Sequence, residues 1–87
     1  MNITAPTIHL NGSSAKTLFA EYQEAYDAVR DAIIKFSAIE FHSRDYYVQD
    51  SGTWTKALEH RIEQREAMGK VEEYLFEHLI AIQNQEK

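Results

Sequence analysis

Apolar and aromatic residues recur at Leu18, Tyr22, Ala25, Val29, Ala32, Phe36 and Ile39, in alternating steps of four and three. That is the period at which a helix returns side chains to one face. A second row, Phe19, Tyr26 and Ile33, runs beside the first and widens the stripe. Neither Gly nor Pro interrupts the chain between Ala15 and Ile39. Ser13 or Ser14 offers the hydroxyl that caps a helix start, and Glu21, Glu24, Asp27 and Asp31 fall mostly on the outer face. The pattern predicts a first helix over 13–39.

A second apolar series starts after Gly52 with Trp54, Leu58, Ile62, Met68, Leu75, Leu79 and Ile82, broadened by Val71, Tyr74, Phe76 and Ile80. It predicts a second helix over 54–85, with the Thr53 hydroxyl as its cap. Gly69 interrupts this series, at a cost of about 1 kcal/mol relative to alanine in a helix. It marks a kink, a place where another helix crosses closely, or a tolerated glycine.

Residues 1–12 differ. Thr7-Ile8-His9-Leu10 alternates polar and apolar, and Asn11-Gly12 is a turn signal. They read as an extended arm that packs on its own hairpin or on a neighbouring subunit. Residues 40–53 form the connection between the helices. At ~1.5 Å per residue the two helices would be ~38 and ~45 Å long. Two such rods cannot hide stripes this broad, because each covers only one side of the other. The expected architecture is a single all-α domain, 1–87: a long antiparallel helical hairpin with a short extended N-terminal arm. It is expected to assemble into a helical-bundle homo-oligomer, a dimeric four-helix bundle or a larger ring.

Composition narrows the classes. The chain has 87 residues, no cysteine and a formal net charge of -5. Neither disulfides nor thiolate metal sites can staple so small a fold, which leaves oligomerisation. The acidic balance argues against nucleic acid and against anionic membranes. No signal peptide or membrane span is expected, so the expected location is the cytoplasm. The histidines, His9, His42, His60 and His78, have no metal-binding spacing, and no nucleophile or nucleotide fingerprint appears. The expectation is a protein that is not an enzyme and carries no cofactor or metal.

Three clusters carry candidate chemistry. The connection holds Arg44, Tyr46 and Tyr47 and is longer than the ~2–8 residues usual between bundle helices. Arg44 offers a flat fork of donors for phosphate or carboxylate, and the tyrosines offer faces for a base. Alternatively they cap the bundle end, with Arg44 paired to Asp45 or Glu40. Asn11, Ser13, Ser14 and Lys16 surround a helix start, where free N–H groups favour anions, although ordinary serine capping explains the same residues. His60, Arg61 and Arg65 lie near the start of the second helix, either as a binding face or as a solvated one. Arg65 falls close to the apolar stripe, where a charge is expensive unless paired.

The stretches Ile8 to Ser14, Arg44 to Tyr47 and, more loosely, Ala57 to Arg61 together resemble a group of small proteins of tailed bacteriophages and prophages. That group carries I-H-L-N-G-[ST]-S, R-D-Y-Y and A-x-x-E-H-x-x-R-like stretches in the same order. Here Ser13 stands where the group often has Thr, and Val48 where it has Pro. The resemblance implies a phage setting in an infected bacterial host. Some phages encode small helical oligomers that sequester nucleotide signals of bacterial immunity, an analogy of size and architecture. By that analogy the chain would bind a small anionic, nucleotide-derived ligand in a pocket between subunits. Arg44, Arg61 and Lys16 would hold phosphates, Tyr46 or Tyr47 would stack on a base, and Asn11 and Ser13 would meet ribose or phosphate oxygens. The alternative is an accessory protein that binds and inhibits a host protein through its helical surface.

Overall fold

The computed structural model describes residues 2–85; Met1, Glu86 and Lys87 lie outside that range. It contains α1, Ala15–Ser37, a single 3₁₀ turn over Ser43–Asp45, and α2, Thr53–Gln85. The described residues form no strand.

Ser14 is the N-cap of α1: its Oγ accepts from the Thr17 N–H at 3.1 Å. The helix therefore starts at Ala15 rather than residue 13. At the other end the Ala38 N–H donates to the carbonyls of Ile34 at 3.1 Å and Lys35 at 3.2 Å, and that of Ile39 to Phe36 at 3.2 Å. This tightening closes α1 at Ser37, before Ile39. Gly52, at φ +86°, makes the turn into α2, a conformation that glycine adopts without strain. Its carbonyl accepts from the Lys56 N–H at 3.1 Å. The Thr53 hydroxyl does not cap α2 as expected; it turns back and donates to the Asp50 carbonyl.

The helices pack antiparallel. Tyr22 stacks on His78 with ring centroids 4.8 Å apart, Tyr26 meets Phe76 at 5.8 Å, and Arg30 reaches Glu72 at 3.6 Å. The seam on α1 is Ala15, Phe19, Tyr22, Tyr26, Val29, Ile33 and Phe36, all buried or half-buried. It thus takes Phe19, Tyr26 and Ile33 from the second sequence row, while Ala25 and Ala32 of the first row stay exposed. The reason is size: given two adjacent rows, the larger side chains bury more area. On α2 the seam runs through Trp54, Arg61, Met68, Leu75 and Ile82 at seven-residue intervals.

The arm returns along its own hairpin. Gln85 grips it like a strand partner, accepting from the Ile8 N–H at 2.8 Å and donating to the Pro6 carbonyl at 2.9 Å. Ile8 is half-buried, whereas Leu10 is fully out in solvent.

The result is a rod of 62 × 22 × 18 Å with a radius of gyration of 18.7 Å. A compact chain of this length would have a radius near ~12 Å. Among the described residues, only Ile33, His78, Leu79 and Ile82 are buried. Leu58, Ile62, Phe76 and Ile80 remain 38% to 50% exposed along α2. Among the described residues no helix is long and apolar enough to cross a membrane.

Candidate functional site

The end of the hairpin is built around three rings. Phe41 lies 4.7 Å from Trp54, and Tyr46 packs 5.7 Å from each of them. These contacts hold the 3₁₀ turn in place, so Tyr46 is part of the end cap. Its neighbour Tyr47 is 74% exposed and joins no ring contact among the described residues. Arg44 is exposed too, and its side chain has no hydrogen-bond or ion-pair partner among the described residues. The aromatic brace therefore presents Arg44 and Tyr47 outward.

Arg61 sits beneath this brace, at a seam position of α2. Its Nη1 donates to the Ile39 carbonyl at 3.4 Å, and its Nη2 faces the carbonyls of Phe36 at 3.4 Å and Ser37 at 3.5 Å. Its guanidinium carbon lies 4.7 Å from the Phe41 ring centroid and 5.2 Å from that of Phe36. The last carbonyls of a helix lack intrahelical donors and carry its partial negative charge. A half-buried guanidinium answers both needs and lays flat faces against the rings. Arg61 is therefore engaged in joining the two helices. Arg65, the arginine the sequence placed near the stripe, is exposed, as is His60. Arg65, Phe36, Leu58 and Ile62 line part of a groove of about 280 Å³ on the side of the hairpin.

The Asn11–Lys16 turn is closed by the Gly12 N–H donating to the His9 carbonyl at 3.1 Å. A Cβ at Gly12 would stand 2.7 Å from His9 Nε2, so the turn is tight on its own histidine. Ser14 Oγ, besides capping, donates to Thr17 Oγ1 at 2.8 Å. Asn11, Ser13 and Lys16 are exposed, and Lys16 has no ion pair among the described residues. At ~1.5 Å per residue, α1 separates this turn from the Arg44–Tyr47 loop by roughly 35 Å. The ten candidate residues thus fall into an end group (Arg44, Tyr46, Tyr47, Arg61), two exposed α2 residues on different faces of the helix (His60, Arg65) and a distant turn (Asn11, Ser13, Ser14, Lys16). One chain does not bring the turn and the loop together.

Sequence reasoning missed His78 as a structural residue. It is 2% exposed, stacked on Tyr22 and lying 4.4 Å from the Tyr74 ring. Its Nδ1 lies 2.8 Å from the Tyr74 carbonyl; a carbonyl only accepts, so Nδ1 carries the proton. Its place beside Leu79 in the apolar stripe was the available signal. The described residues hold no cluster of three or more metal-ligating side chains. Lys35 is held above the ordinary lysine value by its hydrogen bond and charge attraction to Asp31, 2.8 Å away. No protein family, curated protein or solved structure matches the chain.

Proposed function

We propose that the protein is a non-enzymatic, homo-oligomeric helical hairpin that binds a small anionic, nucleotide-derived ligand at a site completed by a second copy. The observation that carries this reading is the contrast between neighbours in the loop. Tyr46 and Arg61 are used up by the hairpin, whereas the Arg44 and Tyr47 side chains are held out on a braced turn with no partner among the described residues. A flat cationic fork beside an exposed ring suits a phosphate joined to a base. Small-molecule sites are concave, and a second copy would supply the other wall. Asn11, Ser13 and Lys16 would supply polar groups from that copy. The resemblance to small tailed-phage proteins would make the ligand an immune signal of an infected bacterium and the function its sequestration.

A second reading is favoured by the half-exposed apolar residues on α2: a phage accessory protein that docks on a host protein through its helical surface. Isothermal titration with a panel of mononucleotides, linear dinucleotides and cyclic dinucleotides separates the two. Binding that Arg44→Ala or Tyr47→Ala abolishes, with the assembly intact, is expected. No binding across the panel, together with stoichiometric capture of a host protein, would replace the first reading with the second.

A further inference from the structure

Gly69 stands at the midpoint of α2, equally far from Thr53 and Gln85. The face that bears it has the same order of apolar and charged positions in both directions, with opposite charges at the mirrored pair. Arg65 and Glu73 lie four residues to either side, Ile62 and Phe76 seven, and Leu58 and Ile80 eleven. At about 3.6 residues per turn, these offsets return to one helix face. Ile62 and Phe76, at matching distances, are 50% and 48% exposed.

The hairpin does not explain the glycine. α2 continues through it as helix, and it is not at positive φ. A Cβ there would meet only Arg65 Nη1, at 3.3 Å, the free end of a flexible side chain, and nothing from α1. A glycine on a half-exposed apolar flank lets another helix approach closer than the usual ~8–10 Å between axes.

A mirror-ordered stripe is self-complementary, which is what a two-fold interface requires. With two copies of α2 antiparallel and crossing at Gly69, each residue stands level with its mirror residue in the second copy. Leu58 then meets Ile80, Ile62 meets Phe76 and Arg65 meets Glu73, each pair occurring twice. Glu66 comes level with Glu72, whose charge is offset within its own chain by Arg30 at 3.6 Å. The geometry points to a symmetric dimer of this chain, built on the flank of α2 beside α1, where Phe76 touches Tyr26 and Leu58, Ile62 and Arg65 edge the groove with Phe36, with its two-fold axis at Gly69.

This rests on the homo-oligomeric reading above and deepens it. Thr53 of one copy stands level with Gln85 of the other, and Gln85 holds the arm next to the Asn11–Lys16 turn. The Arg44–Tyr47 end of one copy therefore lies at the turn end of the other, and each dimer holds two such composite ends.

The test is a charge exchange on the full chain, followed by sedimentation and native mass spectrometry, with circular dichroism to report folding. Arg65→Glu and Glu73→Arg each place like charges at both mirrored contacts. Each is expected to weaken the dimer at least about ten-fold while helicity is kept. Mixed one to one, the two variants restore opposite charges and are expected to form a heterodimer close to the parent in affinity. Gly69→Leu, a better helix former, is expected to give a helical monomer. Parent-like dimers of all three variants, or no heterodimer from the mixture, overturn the α2 pairing but leave self-assembly standing. A parent that is monomeric at every concentration overturns both.

Discussion

Arg61 on α2 closes the end of α1, its Nη2 3.4 Å from the Phe36 carbonyl and its guanidinium carbon 5.2 Å from the Phe36 ring. One side chain thus meets the carbonyls at and just past the end of α1, Phe36, Ser37 and Ile39, and packs on Phe36 and Phe41. Arg61→Ala is expected to destabilise the protein by about 1–2 kcal/mol, towards the low side for bonds to a charged group because these are long. Arg61→Lys should recover less than half of that, since an ammonium has neither the fork nor the flat face. Urea unfolding of the three proteins under one condition measures it.

Tyr46 and Tyr47 are adjacent and should behave in opposite ways. Tyr46→Ala removes a ring packed on Phe41 and Trp54 and should cost about 2 kcal/mol, below the full core value because the site is half-buried. Tyr47→Ala should change stability by no more than about 0.5 kcal/mol, yet abolish ligand binding. Thermal melts and titration of both variants separate the two roles.

His78 should prove more important to the fold than any other histidine. His78→Ala leaves a cavity beside Tyr22 and removes the bond to the Tyr74 carbonyl, with an expected loss of about 2–4 kcal/mol. His78→Phe keeps the stack and should cost about 1 kcal/mol. Denaturant midpoints distinguish them; equal losses would mean that the stack contributes nothing.

Gln85→Ala should free the arm without unfolding the hairpin. Global stability should fall by about 1 kcal/mol or less, while the Ile8 amide, now bonded at 2.8 Å to Gln85 Oε1, should exchange much faster. Hydrogen exchange at Ile8 compared with Ile33 reads this directly.

The helices were legible because alternating steps of four and three leave little else for residues such as Tyr22, Val29 and Phe36 to form. Which row faces inward was less legible, since Ala25 and Phe19 fit the period equally well and only side-chain size decides between them. Arg61 and Arg65 share one turn of helix, and nothing local says which meets α1; the answer lies in carbonyls more than twenty residues away. The Gln85 grip on the arm was not legible at all, because it joins the two ends of the chain. Of the candidate site, the sequence identified the loop but could not divide it into Tyr46, which braces, and Tyr47, which is left free.

The most direct test of the account is native mass spectrometry of the protein freshly purified from a bacterial host. The account predicts an oligomer that carries a retained adduct of nucleotide mass, absent when Arg44→Ala and Tyr47→Ala are combined. A monomer without adduct at every concentration would contradict it.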